Sequence, residues 1–124
     1  FSITHSAAVG YIDGTAGRAQ FSNERALADD VIALRDKVNV TTDDNLAADQ
    51  ARGMVTSNSG ETFEFVTEHA TGTTDCPMSD EVIKAKFMAN AEPVVGGKRA
   101  EQICDMVWKL DEVGDLGELT ELCA

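Results

Sequence analysis

Positive charge is what this chain has least of. Lys and Arg number 10 against 22 Asp and Glu, for a formal net charge of −12. Nucleic-acid backbones and anionic membranes are held by clustered bases, so an acidic body argues against both partners. It also repels small polycarboxylates unless the few bases converge at one place. Cysteine is scarce as well: Cys76, Cys104 and Cys123 are odd in number and form no C-x-x-C. That argues against a disulfide framework and a structural zinc site, and cytoplasmic localisation is expected. The apolar runs are only a few residues long, too short to span a membrane. No basic leader followed by an apolar stretch opens the chain, which starts at Phe1 rather than Met. G-x-S-x-G, G-x-x-x-x-G-K-S/T and strand-linked G-x-G-x-x-G are all missing, so the common nucleophile and phosphate motifs are not represented.

What is present fits one globular domain over residues 1–124, long enough to bury a core without staples. Ser2 can cap a first helix whose apolar stripe is Ile3, Ala7, Ala8, Tyr11 and Ile12, stopped by Asp13-Gly14. Asn23 can cap a turn through Leu27. Asp29 or Asp30 can cap a helix to about Lys37, with Val31, Leu34 and Val38 facing inward. The β-branched alternation of Val38 to Thr42 predicts a strand. Residues 43–53 read as a loop or one helical turn. Met54–Ser57 and Thr62–Glu68, joined by Asn58-Ser59-Gly60-Glu61, predict a hairpin with Phe63 and Phe65 on one face. Ser79 caps a further helix that Pro93 should end. Another runs from about Lys98 to Val113 on a stripe of Ala100, Ile103, Val107 and Leu110, with Cys104 on its apolar side. Asp115 can cap a last helix to Leu122. Grouped strands between segregated helices predict an α+β fold, a small antiparallel or mixed sheet with helices on one face.

Chemistry has few places to reside. His5 lies in the first turn of the first helix, where the exposed N–H groups disfavour an imidazolium. A neutral imidazole can serve as base or hydrogen-bond donor; the ordinary alternative is a helix-start histidine facing solvent or packed on the core. His69 reads as a strand-end residue, and two histidines 64 positions apart without H-x-x-x-H give no metal-ligand pattern. Gly96-Gly97-Lys98-Arg99 has the makings of an anion-binding helix start, though a solvated first turn accounts for it as well. Arg18 is an isolated base after the first helix. Lys84 follows Asp80 at the spacing of a helical ion pair. These residues alone do not amount to a complete active site for a polycarboxylate, which needs several bases and an acid–base pair in one cleft.

Four segments nevertheless carry a likeness. F-S-I-T-H-S-A-A-V-G-Y-I-D-G at residues 1–14 resembles a segment of the MmgE/PrpD family: Phe-Ser, then His or Tyr among small residues, closed by Asp-Gly. S-N-S-G-E-T-F-E resembles the family's hairpin. G-T-T-D-C-P-M-S-D-E-V-I-K-A-K-F at residues 72–87 matches its Gly, Pro, helix-cap and Lys-Phe pattern, and V-W-K-L-D-E-V-G-D-L-G-E-L-T resembles its closing helices. The series covers nearly the whole chain in order.

The family includes 2-methylcitrate dehydratase, cis-aconitate decarboxylase and iminodisuccinate epimerase. The resemblance implies cofactor-free proton chemistry on small di- or tricarboxylates, with no metal. It also implies a site between a large helical domain and a smaller α+β domain, the latter corresponding to this chain. His5 matches a family His or Tyr that lies at that site, and Arg18 is a candidate for substrate charge. The expected partners are the missing helical domain and a second copy in a homodimer that covers an unpaired sheet edge. The isolated chain is expected to be inactive. The alternative is a free-standing binding or oligomerisation module with the same fold.

Overall fold

The computed structural model describes residues 2–124; Phe1, which opens the first quoted segment, lies outside them. The described chain divides into two compact units, one reaching Asp43 and the other spanning Asp44–Ala124. It is an α+β fold of helices and one antiparallel hairpin.

In the first unit, Ile3–Asp13 form α1. The Ser2 hydroxyl accepts the His5 N–H at 3.2 Å, satisfying one of the donors a helix start leaves open. Gly14 ends the helix at φ 71°, a left-handed conformation that only glycine reaches without strain. A short 3₁₀ turn, Arg18–Phe21, leads to α2 (Asn23–Ala26), capped by Ser22 rather than Asn23, and then to α3 (Asp29–Arg35). Ala8 and Val9 of α1 seal against Val31 of α3, all with no exposure, and Ala28 and Leu34 pack around them. Burying each valine contributes about 1.5–3 kcal/mol. The inner face of α1 is therefore His5, Ala8 and Val9. Ile3 and Tyr11, expected on the stripe, are about 70 % exposed because they lie outside the arc that faces α3.

Val38 to Thr42 is not a strand. Its composition favours extended backbone, but a strand exists only where a neighbour takes its N–H and C=O groups, and the described strands pair only with each other.

The second unit opens with that hairpin, β1 (Ala51–Thr56) on β2 (Thr62–Thr67). Gly53 faces Phe65, whose ring lies over the glycine and fills the space that a Cβ there would need. The register continues past the ladder in side chains. Gln50 Nε2 donates to Glu68 Oε2 at 3.3 Å, and His69 Nδ1 bonds Asp49 Oδ2 at 2.9 Å. Phe63 and Phe65 are each 53 % exposed.

The unit continues with α4 (Asp80–Val95), α5 (Gly97–Trp108), a 3₁₀ turn at Leu110–Glu112 and α6 (Leu116–Cys123). Ser79 caps α4 by accepting the Val82 N–H at 3.4 Å. Backbone N–H and the Ser79 side chain hold the Glu81 carboxyl below its ordinary range. Pro93 does not end α4, because it costs one interior hydrogen bond with less than a turn remaining, and the helix runs on to Val95. Helix α5 packs on α4 and α6, burying Ala100, Ile103 and Cys104, while Lys84 of α4 sits over the Trp108 ring at 4.9 Å. Val107 and Leu110, expected on the inner stripe, are exposed.

Candidate functional site

His5 is 5 % exposed, the one buried polar residue among those described. Its position in the first turn of α1 points the ring at the 3₁₀ turn, where Nε2 lies 2.8 Å from the Gln20 carbonyl oxygen. A carbonyl only accepts, so Nε2 carries the proton and donates. In the neutral ring that leaves Nδ1 as the bare nitrogen. Nδ1 is shut off from solvent and has no hydrogen-bond partner. Phe21 meets the ring edge-on, centroids 5.0 Å apart at 70°. An unpaired buried acceptor costs about 1–3 kcal/mol, and this one sits in an otherwise apolar inner face.

A polar network holds the Gln20 carbonyl in place. The Gln20 side chain accepts the Gly17 N–H at 3.2 Å and donates to Asp13 Oδ2 at 3.2 Å. Asp13 is also gripped by Arg25, through Nε at 3.0 Å and an amino group at 2.6 Å. The same guanidinium reaches Asp30 at 2.8 and 3.1 Å. One arginine thus joins the end of α1, helix α2 and the start of α3, in two paired contacts of the kind its planar fork favours. Hydrogen bonds from Arg25 lower the pKa of Asp13 and of Asp30, and the two carboxylates raise that of Arg25. The Arg25 and Asp13 side chains are only 23 % and 19 % exposed.

Arg18 opens the turn that carries Gln20, two residues before it, and is exposed. The turn that carries Arg18 runs alongside α1, meeting His5 near its start through the Gln20 carbonyl and Asp13 at its end through the Gln20 amide. His69 falls elsewhere, at the foot of the hairpin, where it holds the Asp49 carboxyl below its ordinary range. Gly96 to Arg99 line a shallow, open depression at the start of α5, and the Glu92 carboxylate approaches Gly97 there. A negative side chain beside that helix start works against anion binding. Among the described residues, no group of three or more His, Cys, Asp or Glu is placed to hold a metal ion. No helix among them is long and apolar enough to cross a membrane.

Gln20 and Arg25 escape a reading by motif. Arg25 lies 12 residues after Asp13 and five before Asp30, spacings that form no helical pair. Gln20 acts mainly through its backbone carbonyl, which side-chain identity does not reveal. The available signal was the Asp13-Gly14 helix stop, which fixes where the carboxylate must sit.

Residues 1–112 match the MmgE/PrpD C-terminal domain. The chain belongs to the MmgE/PrpD family. The match begins with the segment that holds His5 and ends at Glu112, so the Asp13–Arg25–Asp30 network, the hairpin, α4 and α5 are all within the MmgE/PrpD domain and α6 lies beyond it. No curated protein matches the sequence.

Proposed function

We propose that this chain is the smaller C-terminal domain of an MmgE/PrpD-type lyase or isomerase acting on small di- or tricarboxylates, completed by a large helical domain. His5 is its proton-handling group, and Arg18 supplies charge to a substrate carboxylate. The observation that carries this reading is the His5 ring, with Nε2 engaged and Nδ1 buried without a partner. A bare imidazole nitrogen in a dry setting can take a proton from carbon beside a carboxylate, or accept a hydrogen bond from a substrate hydroxyl. Substrate reaches it only when the cover over the ring moves, and Phe21, half-exposed and edge-on to His5, is the aromatic neighbour. The chemistry uses side chains alone, without a cofactor. The acidic surface makes Arg18 the more necessary, since the body otherwise repels an anionic substrate.

The experiment compares the isolated chain with the chain joined to an MmgE/PrpD helical domain, on 2-methylcitrate and cis-aconitate. The isolated chain should be inactive and the joined protein active. His5→Gln should lower kcat by about a hundredfold or more. Turnover by the isolated chain, or an undiminished His5→Gln enzyme, overturns the reading.

A second reading, a non-catalytic binding or assembly module, draws on the half-exposed Phe63 and Phe65 of the hairpin. Such a face suits a homodimer contact. Coding sequence upstream of Phe1 separates the two: an adjoining helical domain supports the enzyme. A stable monomer at high concentration in sedimentation argues against dimerisation.

A further inference from the structure

We infer that the Asp13–Arg25–Asp30 clamp is a positioning device for His5, fixing which ring nitrogen is free to act. The inference rests on the reading of His5 as the proton-handling group and names what orients it. Four observations carry it.

The first is the direction of the ring's one hydrogen bond. Nε2 must donate to the Gln20 carbonyl, and the 2.8 Å contact selects the tautomer with a bare Nδ1. The second is that this carbonyl belongs to a single 3₁₀ turn, Arg18–Phe21, with no side-chain cap of its own at Gly17. A lone turn of this kind is a weak platform unless something else holds it. The third is that the holding group is Gln20 itself. Its amide spans from the Gly17 N–H to Asp13, closing the turn and tying it to the end of α1. The fourth is that Asp13 is immobilised in turn. Arg25 takes both of its oxygens, and Asp30 takes the other side of the guanidinium.

The sequence of contacts is therefore His5 ring, Gln20 carbonyl, Gln20 amide, Asp13, Arg25, Asp30. Apart from the covalent step within Gln20, each link is a direct hydrogen bond within the first unit. The arrangement resembles the way a catalytic histidine elsewhere is oriented by a fixed acceptor on its far nitrogen, here a neutral carbonyl instead of a carboxylate. The difference has a consequence. A neutral acceptor sets the tautomer without adding a negative charge beside the ring.

The test reads the tautomer directly. Two-bond ¹⁵N–¹H correlation spectra of the ¹⁵N-His-labelled 124-residue chain distinguish a protonated Nε2 from a protonated Nδ1. His5 is assigned by its loss in His5→Gln, which leaves His69 as the only other histidine. The unaltered chain should show His5 as the Nε2–H tautomer. Gln20→Ala keeps the backbone carbonyl and removes both tethers, and should shift the ratio of tautomers about fivefold toward Nδ1–H, the worth of one hydrogen bond. Arg25→Lys keeps a positive charge but cannot grip two carboxylates in pairs, and should shift it in the same direction. It also serves as the control should Gln20→Ala unfold, since a near-unchanged amide spectrum establishes that the unit is intact.

A protonated Nδ1 in the unaltered chain overturns the inference. So does an unchanged tautomer ratio in folded Gln20→Ala or Arg25→Lys. Neither result depends on turnover. Conversely, a joined enzyme that ignores His5→Gln while the tautomer behaves as expected defeats the catalytic reading and leaves the positioning device standing.

Discussion

Between α1 and α3, Ala8, Val9 and Val31 close on each other with no exposure, and the ion-paired Arg25 lashes the helix ends together. In the hairpin the largest apolar side chains, Phe63 and Phe65, stay more than half in water. The hairpin holds its register through a ring laid over Gly53 and polar pairs at its foot. The helical unit thus takes its specificity from a sealed core and one buried-edge network, whereas the hairpin relies on cross-strand neighbours, each worth about 0.2–1 kcal/mol. Damage should therefore be cooperative in the first and local in the second.

Val31 is where the two regions differ most. Val31→Ala removes a fully buried branched side chain and should destabilise the first unit by about 2 kcal/mol, measured by urea denaturation followed by amide signals of α1 to α3. The hairpin signals should shift far less.

Acid comes next. Arg25 holds the Asp13 and Asp30 carboxyls below their ordinary value of 3.8 in the folded chain, so the unfolded chain binds protons first as pH drops. The clamp's contribution is complete above 3.8 and drains away as pH falls through the lowered folded values. Asp49, held down by His69, follows the same sign at the hairpin foot. Stability measured across that range should fall more for the parent than for Asp13→Asn, which has no proton to gain there. Equal acid sensitivity in the two proteins overturns this.

Gly53→Ala probes the hairpin. The new methyl occupies the space of the Phe65 ring, which must swing into solvent, and about 1 kcal/mol of hairpin stability should go with it. Cross-strand contacts between 53 and 65 in NMR spectra should weaken while α1 and α3 are untouched. The smallest effect is expected at Lys84→Met, which keeps the apolar stem and deletes the cation over Trp108. The loss should be about 0.5 kcal/mol, read as a small drop in the denaturation midpoint.

Much of this organisation is legible in the residues. Ser2, Ser79 and Asp115 mark helix starts because a short oxygen-bearing side chain before a helix can accept the orphan N–H groups. Gly14 marks a helix end for the complementary reason. The hairpin is visible because Asn58-Ser59-Gly60 separates two β-prone runs. Val38 to Thr42 misleads, since alternation describes how a strand would be buried and not whether a partner exists to pair with it. The α1 stripe is half legible: Ala8 is inside, but Ile3 and Tyr11 are outside, because hydrophobicity gives a helix an apolar side while packing against α3 selects which part of it closes.

The candidate site divides the same way. His5 stands out by residue type and by its place in the first turn, and local capping by Ser2 puts it there through bonds only three residues long. The helix starts at Ser2, Ser79 and Asp115, the hairpin turn and the acidic charge balance are likewise properties of near neighbours and of composition, so the chain alone determines them. The burial of His5, the identity of its bare nitrogen and the grip of Arg25 on two carboxylates depend on segments 5 to 15 residues apart meeting at chosen angles. Those are decided only when α1, the 3₁₀ turn, α2 and α3 pack, because a hydrogen bond exists at a distance and direction that sequence spacing does not prescribe.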